Sequence, residues 1–263
     1  MSLTRFLLFC FISLVPAWGN TQVGNRPAAE RVDSILDRIQ VDQQMDAETK
    51  SNFADQAFRI AEQAGDTCRQ ILARVKQATY LDNMGKADSA LTQLYWASRH
   101  YPPGCDSMIL MSLYANLTNV YLSLNELDRI DTISQRLFSL WNPAWKDKSS
   151  RFATLNNLGI AQASRGAFVL ATKTFHKALS EAEADGNLSY IENALLNLGS
   201  IKGVVKDLDS AYFFYTIAAK NARKNTINRE CVQSVAIDPQ SCRLPKSVAI
   251  ENQVIHAVSV RLS

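Results

Sequence analysis

The sequence predicts an all-α solenoid of helical hairpins, about five helix pairs plus a closing C-terminal helix. Three observations carry this. From Ala28 onward apolar residues recur at three- and four-residue spacing, and no segment alternates as a strand would. Breaks fall at regular intervals, at "AGD" (64–66), "YPPG" (101–104), "WNPAW" (141–145) and "ADGN" (184–187). The chain also resembles itself at a shift of about 40 residues, the mark of a repeat array.

The bulk numbers agree with a folded chain. Of 263 residues, 47% are hydrophobic and 20% charged, ordinary values for a globular protein. A net charge of +3 gives no clustered basic field of the kind nucleic-acid binding needs. At the N-terminus, "MSLTR" is a short basic start and "FLLFCFISLVPAW" (6–18) an apolar run, followed by small residues at "AWG" (17–19). That pattern reads as a signal peptide over 1–19. Pro16 and the shortness of the run argue against a spanning helix, which needs roughly 20 apolar residues. No later stretch is apolar enough to span a bilayer, so the expectation is an exported chain, periplasmic or secreted, with no stable membrane insertion. Residues 20–27 read as an unstructured lead and 28–227 as the repeat array.

Residues 28–66 form a first, worn pair, because "AFRIAEQAGD" (57–66) matches "ALSEAEADGN" (178–187) at a shift of 121, about three repeats. The second repeat shows Gly85, Ala90, Ala97 and Pro102 in "MGKADSALTQLYWASRHYP". In the third, "YANLTNVYLSLNELD" places Leu117 and Tyr121 in phase. The fourth and fifth are clearest. "LNNLGIAQASRGAFVLATKTFHKAL" (155–179) has Leu158-Gly159 followed by Gly166, Ala171, Phe175 and Ala178. "LLNLGSIKGVVKDLDSAYFFYTIAA" (195–219) has Leu198-Gly199 followed by Ala211, Tyr215 and Ala218. The offsets of alanine and aromatic from glycine are the same in both.

These landmarks resemble the tetratricopeptide repeat, Trp-x2-Leu-Gly-x2-Tyr followed by Ala-x3-Phe and Ala, with each repeat lengthened to about 40 residues. The resemblance implies a right-handed superhelix whose first helices line a concave face. "AIENQVIHAVSV" (249–260) resembles "YIENALLNLGSI" (190–201) at a shift of 59, one period plus 19 residues. The extra residues are read as an inserted loop over 228–245, and 246–263 as the closing helix that presents a polar outer face.

Without Cys10, four cysteines remain, an even number suited to an oxidising compartment. Three pairings are open. Close spacing favours Cys231–Cys242, worth about 3 kcal/mol by loop closure, and leaves Cys68–Cys105. No CxxC occurs and the histidines stand far from the cysteines, so no metal or other cofactor is expected. His100, His176 and His256 have no ligand-spaced acidic or cysteine neighbour. There is no GxSxG, HExxH or phosphate loop, so no enzyme is expected. Trp96, Trp141 and Trp145, with Tyr101, read as plugs between repeats, or else as an aromatic platform. "KNARKN" (220–225) reads as a basic helix end.

The asparagines carry the functional expectation. Asn116, Asn157 and Asn197 precede the aligned leucines at spacings of 41 and 40. Asn costs about 0.5 kcal/mol relative to Ala inside a helix, so its recurrence in one slot asks for a reason. Peptide-binding members of the resembled family carry an asparagine ladder here. By that resemblance the amides would bond the backbone of an extended peptide, joined by Asn156, Asn193 and Ser200 from adjoining slots and by His256 in the same slot of the last helix. The competing reading is that each Asn bonds a neighbouring helix. Repeat two has Lys76 in the slot. The adjoining positions, including Ala153, Ile160 and Leu196, hold no basic residue, which disfavours capture of a terminal carboxylate. The expected function is peptide or protein binding by an exported scaffold. The alternative is an extracytoplasmic sensor module of a bacterial signalling system, truncated or acting in trans.

Overall fold

The computed structural model describes residues 27–142 and 148–235, with side chains through 225. The expected signal peptide and most of the expected lead lie outside the described residues, as do His256, Trp145, the closing helix and the Cys231–Cys242 pair of side chains. Within them the chain is an all-α solenoid of ten helices: α1 (Ala28–Val41), α2 (Ala47–Gln63), α3 (Thr67–Asn83), α4 (Ala87–His100), α5 (Ser107–Ser123), α6 (Leu127–Leu140), α7 (Ser149–Ser164), α8 (Phe168–Asp185), α9 (Leu188–Val204) and α10 (Leu208–Val235). Consecutive helices pack as five hairpins, and each odd-numbered first helix also touches the first helix of the next pair.

The breaks read from the sequence are helix caps. At "AGD", Gly65 is left-handed at φ +68° and Asp66 accepts from the Arg69 amide at 3.0 Å. At "ADGN", Gly186 is left-handed at φ +68° and Asn187 accepts from the Tyr190 amide at 3.2 Å. Asp106 caps α5 in the same way through the Met108 amide. Each such side chain satisfies one of the donors that open a helix.

Inside the pairs the turn has its own period. Gly85, Asn125, Gly166 and Lys206 all take positive φ, at 72°, 57°, 77° and 63°. After each, the next amide reaches back five residues, as in Lys86 to the Leu81 carbonyl and Asp207 to that of Lys202. This is the Schellman closure, which needs a left-handed residue.

The core is a row of clusters rather than one centre. The largest joins α3, α4, α5 and α6 through Ile71, Leu94, Leu113 and Ile130, all fully buried. Gly159 and Gly199 are the close-approach points. A Cβ on Gly159 would lie 2.6 Å from the Phe175 ring, and one on Gly199 2.8 Å from that of Tyr215. The Leu-Gly landmark is therefore the socket for an aromatic side chain on the partner helix. Cys68, in the first turn of α3, is bridged to Cys105 in the α4–α5 connection, with a Cα–Cα distance of 5.4 Å.

One boundary differs from expectation. α10 runs unbroken to Val235, so residues 228–235 of the expected loop are helical. The basic "KNARKN" stretch then sits inside a helix rather than at its end, where a dipole role fades.

Candidate functional site

Lys76, Asn116, Asn157 and Asn197 occupy one slot on α3, α5, α7 and α9. The structure brings them into a single line, and in every case the side chain bonds the preceding first helix. Lys76 Nζ donates to Gln40 Oε1 at 2.9 Å. Asn116 Oδ1 accepts from Thr79 Oγ1 at 2.6 Å, while its Nδ2 donates to the Ser112 carbonyl in its own helix at 2.8 Å. Asn157 Nδ2 donates to Thr118 Oγ1 at 3.1 Å and to Asn119 Oδ1. Asn197 Nδ2 donates to Asn156 Oδ1 at 2.7 Å.

The cause is packing distance. Neighbouring first helices lie side by side, and the side chains in this slot point at the seam between them. A polar group there loses water and must find a partner. Asn157 is the extreme case, 5% exposed. Asn116 and Asn197 are half-buried. The line is thus a polar seam between repeats, in which Asn116, Asn157 and Asn197 are each bonded to the preceding first helix. Asn156 is half-buried with its carbonyl oxygen occupied by Asn197. Asn193, Leu196 and Ser200 are exposed on α9. Ser200 donates to the Leu196 carbonyl and accepts from the Tyr215 hydroxyl at 3.2 Å.

Sequence reasoning missed the partners: Gln40, Thr79, Thr118 and Asn119. A signal was present. Thr79 and Asn119 each stand three residues after a slot residue, so they recur at the repeat spacing and face the next slot.

The aromatic residues serve as fillers. Trp96 meets Phe58 edge-on at 5.2 Å and stacks on His100 at 4.3 Å. Arg74 lies 3.5 Å above the Phe58 ring and pairs with Asp55; its burial lowers its pKa against the pull of that carboxylate. Trp141 joins the Met111–Leu137 cluster under the Arg151 guanidinium. Tyr101 donates to the carbonyls of Cys105 and Asp106, closing the α4–α5 connection.

Burial, with a hydrogen bond to Tyr95, pushes the Tyr121 hydroxyl up to about 12, so at neutral pH it stays protonated. His176 is exposed beside Phe214, and desolvation with the nearby Lys202 charge lowers its pKa. Among the described residues no group of three or more His, Cys, Asp or Glu is placed to hold a metal ion, and no helix is long and apolar enough to cross a membrane. Apart from Lys76, the line along the first helices is built of neutral amide and hydroxyl groups.

No protein-family model matches the chain, and no curated protein matches its sequence. Among solved structures, the chain is similar to BtubC (BKLC) from P. vanneervenii, with a TM-score of 0.60 over 75% of this chain and 81% of that one, at 15% identity. A likeness at that identity concerns the fold. With the five hairpins, it makes this chain a helical-repeat protein.

Proposed function

We propose that the chain is an exported tetratricopeptide-type binding protein that holds a peptide or protein segment along the face made by its first helices. The observation that carries this reading is the seam itself. A side-chain bond at each of the four junctions from α1 to α9 holds successive first helices in register. At the C-terminal end three uncharged residues, Asn193, Leu196 and Ser200, are exposed beside it. Such a surface suits an extended, neutral segment recognised largely through its main chain. Export rests on the signal-peptide pattern of residues 1–19, and an oxidised Cys68–Cys105 bridge suits that compartment.

The test uses peptides selected from a random displayed library on the mature protein. Asn193→Arg places a long charged side chain on the first-helix face. Val169→Arg does the same on α8, where Val169 is 75% exposed. Loss of capture with Asn193→Arg alone supports the reading. Loss with Val169→Arg alone moves the site to the other face and overturns it. Export is read separately, by the N-terminal residue of the protein recovered outside the cytoplasm.

A further inference from the structure

The last described repeat leaves open a face that the repeat before it has closed. Phe175 of α8 is 1% exposed, whereas Tyr215, 40 residues later on α10, is 42% exposed. Ala153, Asn156 and Ile160 of α7 are half-buried, and their equivalents Asn193, Leu196 and Ser200 on α9 are all exposed. The difference has a visible cause. α9 lies over α7 and α8, and its Leu198 and Ile201 share one apolar cluster with Phe175. Among the described residues nothing does this for α9 and α10. The result is an open groove of about 430 Å³ along Tyr212, Tyr215, Thr216, Ala219, Lys220 and Arg223.

We propose that residues 249–260 of the same chain dock in this groove, in the place α9 takes on α7 and α8. Four observations lead there. The segment "AIENQVIHAVSV" repeats the α9 sequence "YIENALLNLGSI" at a shift of 59. At that shift the buried α9 positions Ala194, Leu195, Leu198, Gly199 and Ile201 become Gln253, Val254, Ala257, Val258 and Val260. The two residues that cover Phe175 become the smaller Ala257 and Val260, opposite the larger Tyr215.

Val258 stands where Gly159 and Gly199 each receive an aromatic ring from a second helix. A valine fits a docked helix on which no such ring is laid. His256 falls in the slot of Asn197, and two slot residues bond the position three after the preceding slot: Asn116 bonds Thr79 and Asn157 bonds Asn119, whereas Asn197 bonds Asn156. On α9 that position is Ser200.

The chain length also closes. α8 ends at Asp185, whose equivalent 40 residues on is 225, yet α10 continues to Val235. Those ten further residues carry the chain about 15 Å past the groove. Residues 236–248 can return it, since thirteen residues span up to about 43 Å when extended. The 19 residues by which 59 exceeds 40 are thus an overshoot of ten and a return of thirteen, less the four (186–189) that already lead from α8 to residue 190.

The test places a photoreactive p-benzoylphenylalanine at Tyr215, a position exposed enough to accept it, in the full mature chain. Irradiation followed by digestion and mass spectrometry is expected to join residue 215 to the peptide carrying 249–260 within one chain. Val260→Asp should abolish that link while the far-UV circular dichroism of the array is kept. A link between two copies would assign the groove to self-association. A link to another segment, or none, would leave it to a separate partner; each of these results overturns the proposal.

Discussion

Asn157→Ala separates the seam from the ladder. In a helix the change should help, because Ala is favoured over Asn by about 0.5 kcal/mol. Against this stand two hydrogen bonds from a side chain that is 5% exposed. At roughly 1 kcal/mol net for each bond, their loss costs about 2 kcal/mol, leaving about 1.5 kcal/mol of destabilisation. Asn116→Ala also loses two bonds, but one is local and the site is half-buried, so about 0.5 kcal/mol is expected. Asn197→Ala loses one bond and should fall near zero. The exposed Asn193 is the internal control, and Asn193→Ala should gain about 0.5 kcal/mol from helix propensity alone. Urea unfolding followed by far-UV circular dichroism gives the order 157, 116, 197, 193 from most to least destabilised. Pairing Asn157→Ala with Asn119→Ala should show a coupling of about 0.5–1 kcal/mol. If Asn157→Ala stabilises as much as Asn193→Ala, the seam contributes nothing to the fold and the slot is held for a ligand after all.

The socket glycines behave oppositely to a free one. Gly159→Ala should cost about 1–3 kcal/mol by overpacking against Phe175, and Phe175→Leu in the same chain should recover part of the loss. Gly203→Ala meets no atom within 4 Å and should gain up to about 1 kcal/mol; thermal unfolding of the three variants checks the contrast. Lys206→Gly, at a left-handed turn position, should raise stability by about 1 kcal/mol, and an unchanged melting temperature would show the turn to be relaxed in another way. Replacing Cys68 and Cys105 together by Ala opens a loop of 37 residues and should cost about 3–4 kcal/mol by chain entropy. Denaturant titration measures it, and a loss below 1 kcal/mol would mean the bridge adds nothing to the packing of α3 against α5.

The repeats were legible where volume is carried by a glycine and a ring, and faint where the same volume is divided differently. The pair Gly159 and Phe175 stands at a separation of 16, as do Gly199 and Tyr215. Ala78 and Leu94, then Thr118 and Ser134, occupy the same two positions in the second and third repeats, and all four are buried. Large with small, or medium with medium, fills one inter-helix space, so the earlier repeats look degenerate in sequence while obeying the same packing rule.

The asparagines were legible in position and ambiguous in direction. A slot before the repeat's leucine lies at the border between groove and seam, and a rotation of one side chain decides which it serves. That choice is made by what stands about 37 to 41 residues earlier: Thr79 for Asn116, Thr118 and Asn119 for Asn157, Asn156 for Asn197. Each is a polar group on a helix that a reading of the slot alone does not consult. A recurring polar residue in a repeat array is therefore first a question about the neighbouring repeat. Only the residues left exposed once those bonds are drawn remain open to a further contact, and Asn193 and Leu196 border the groove assigned above to residues 249–260.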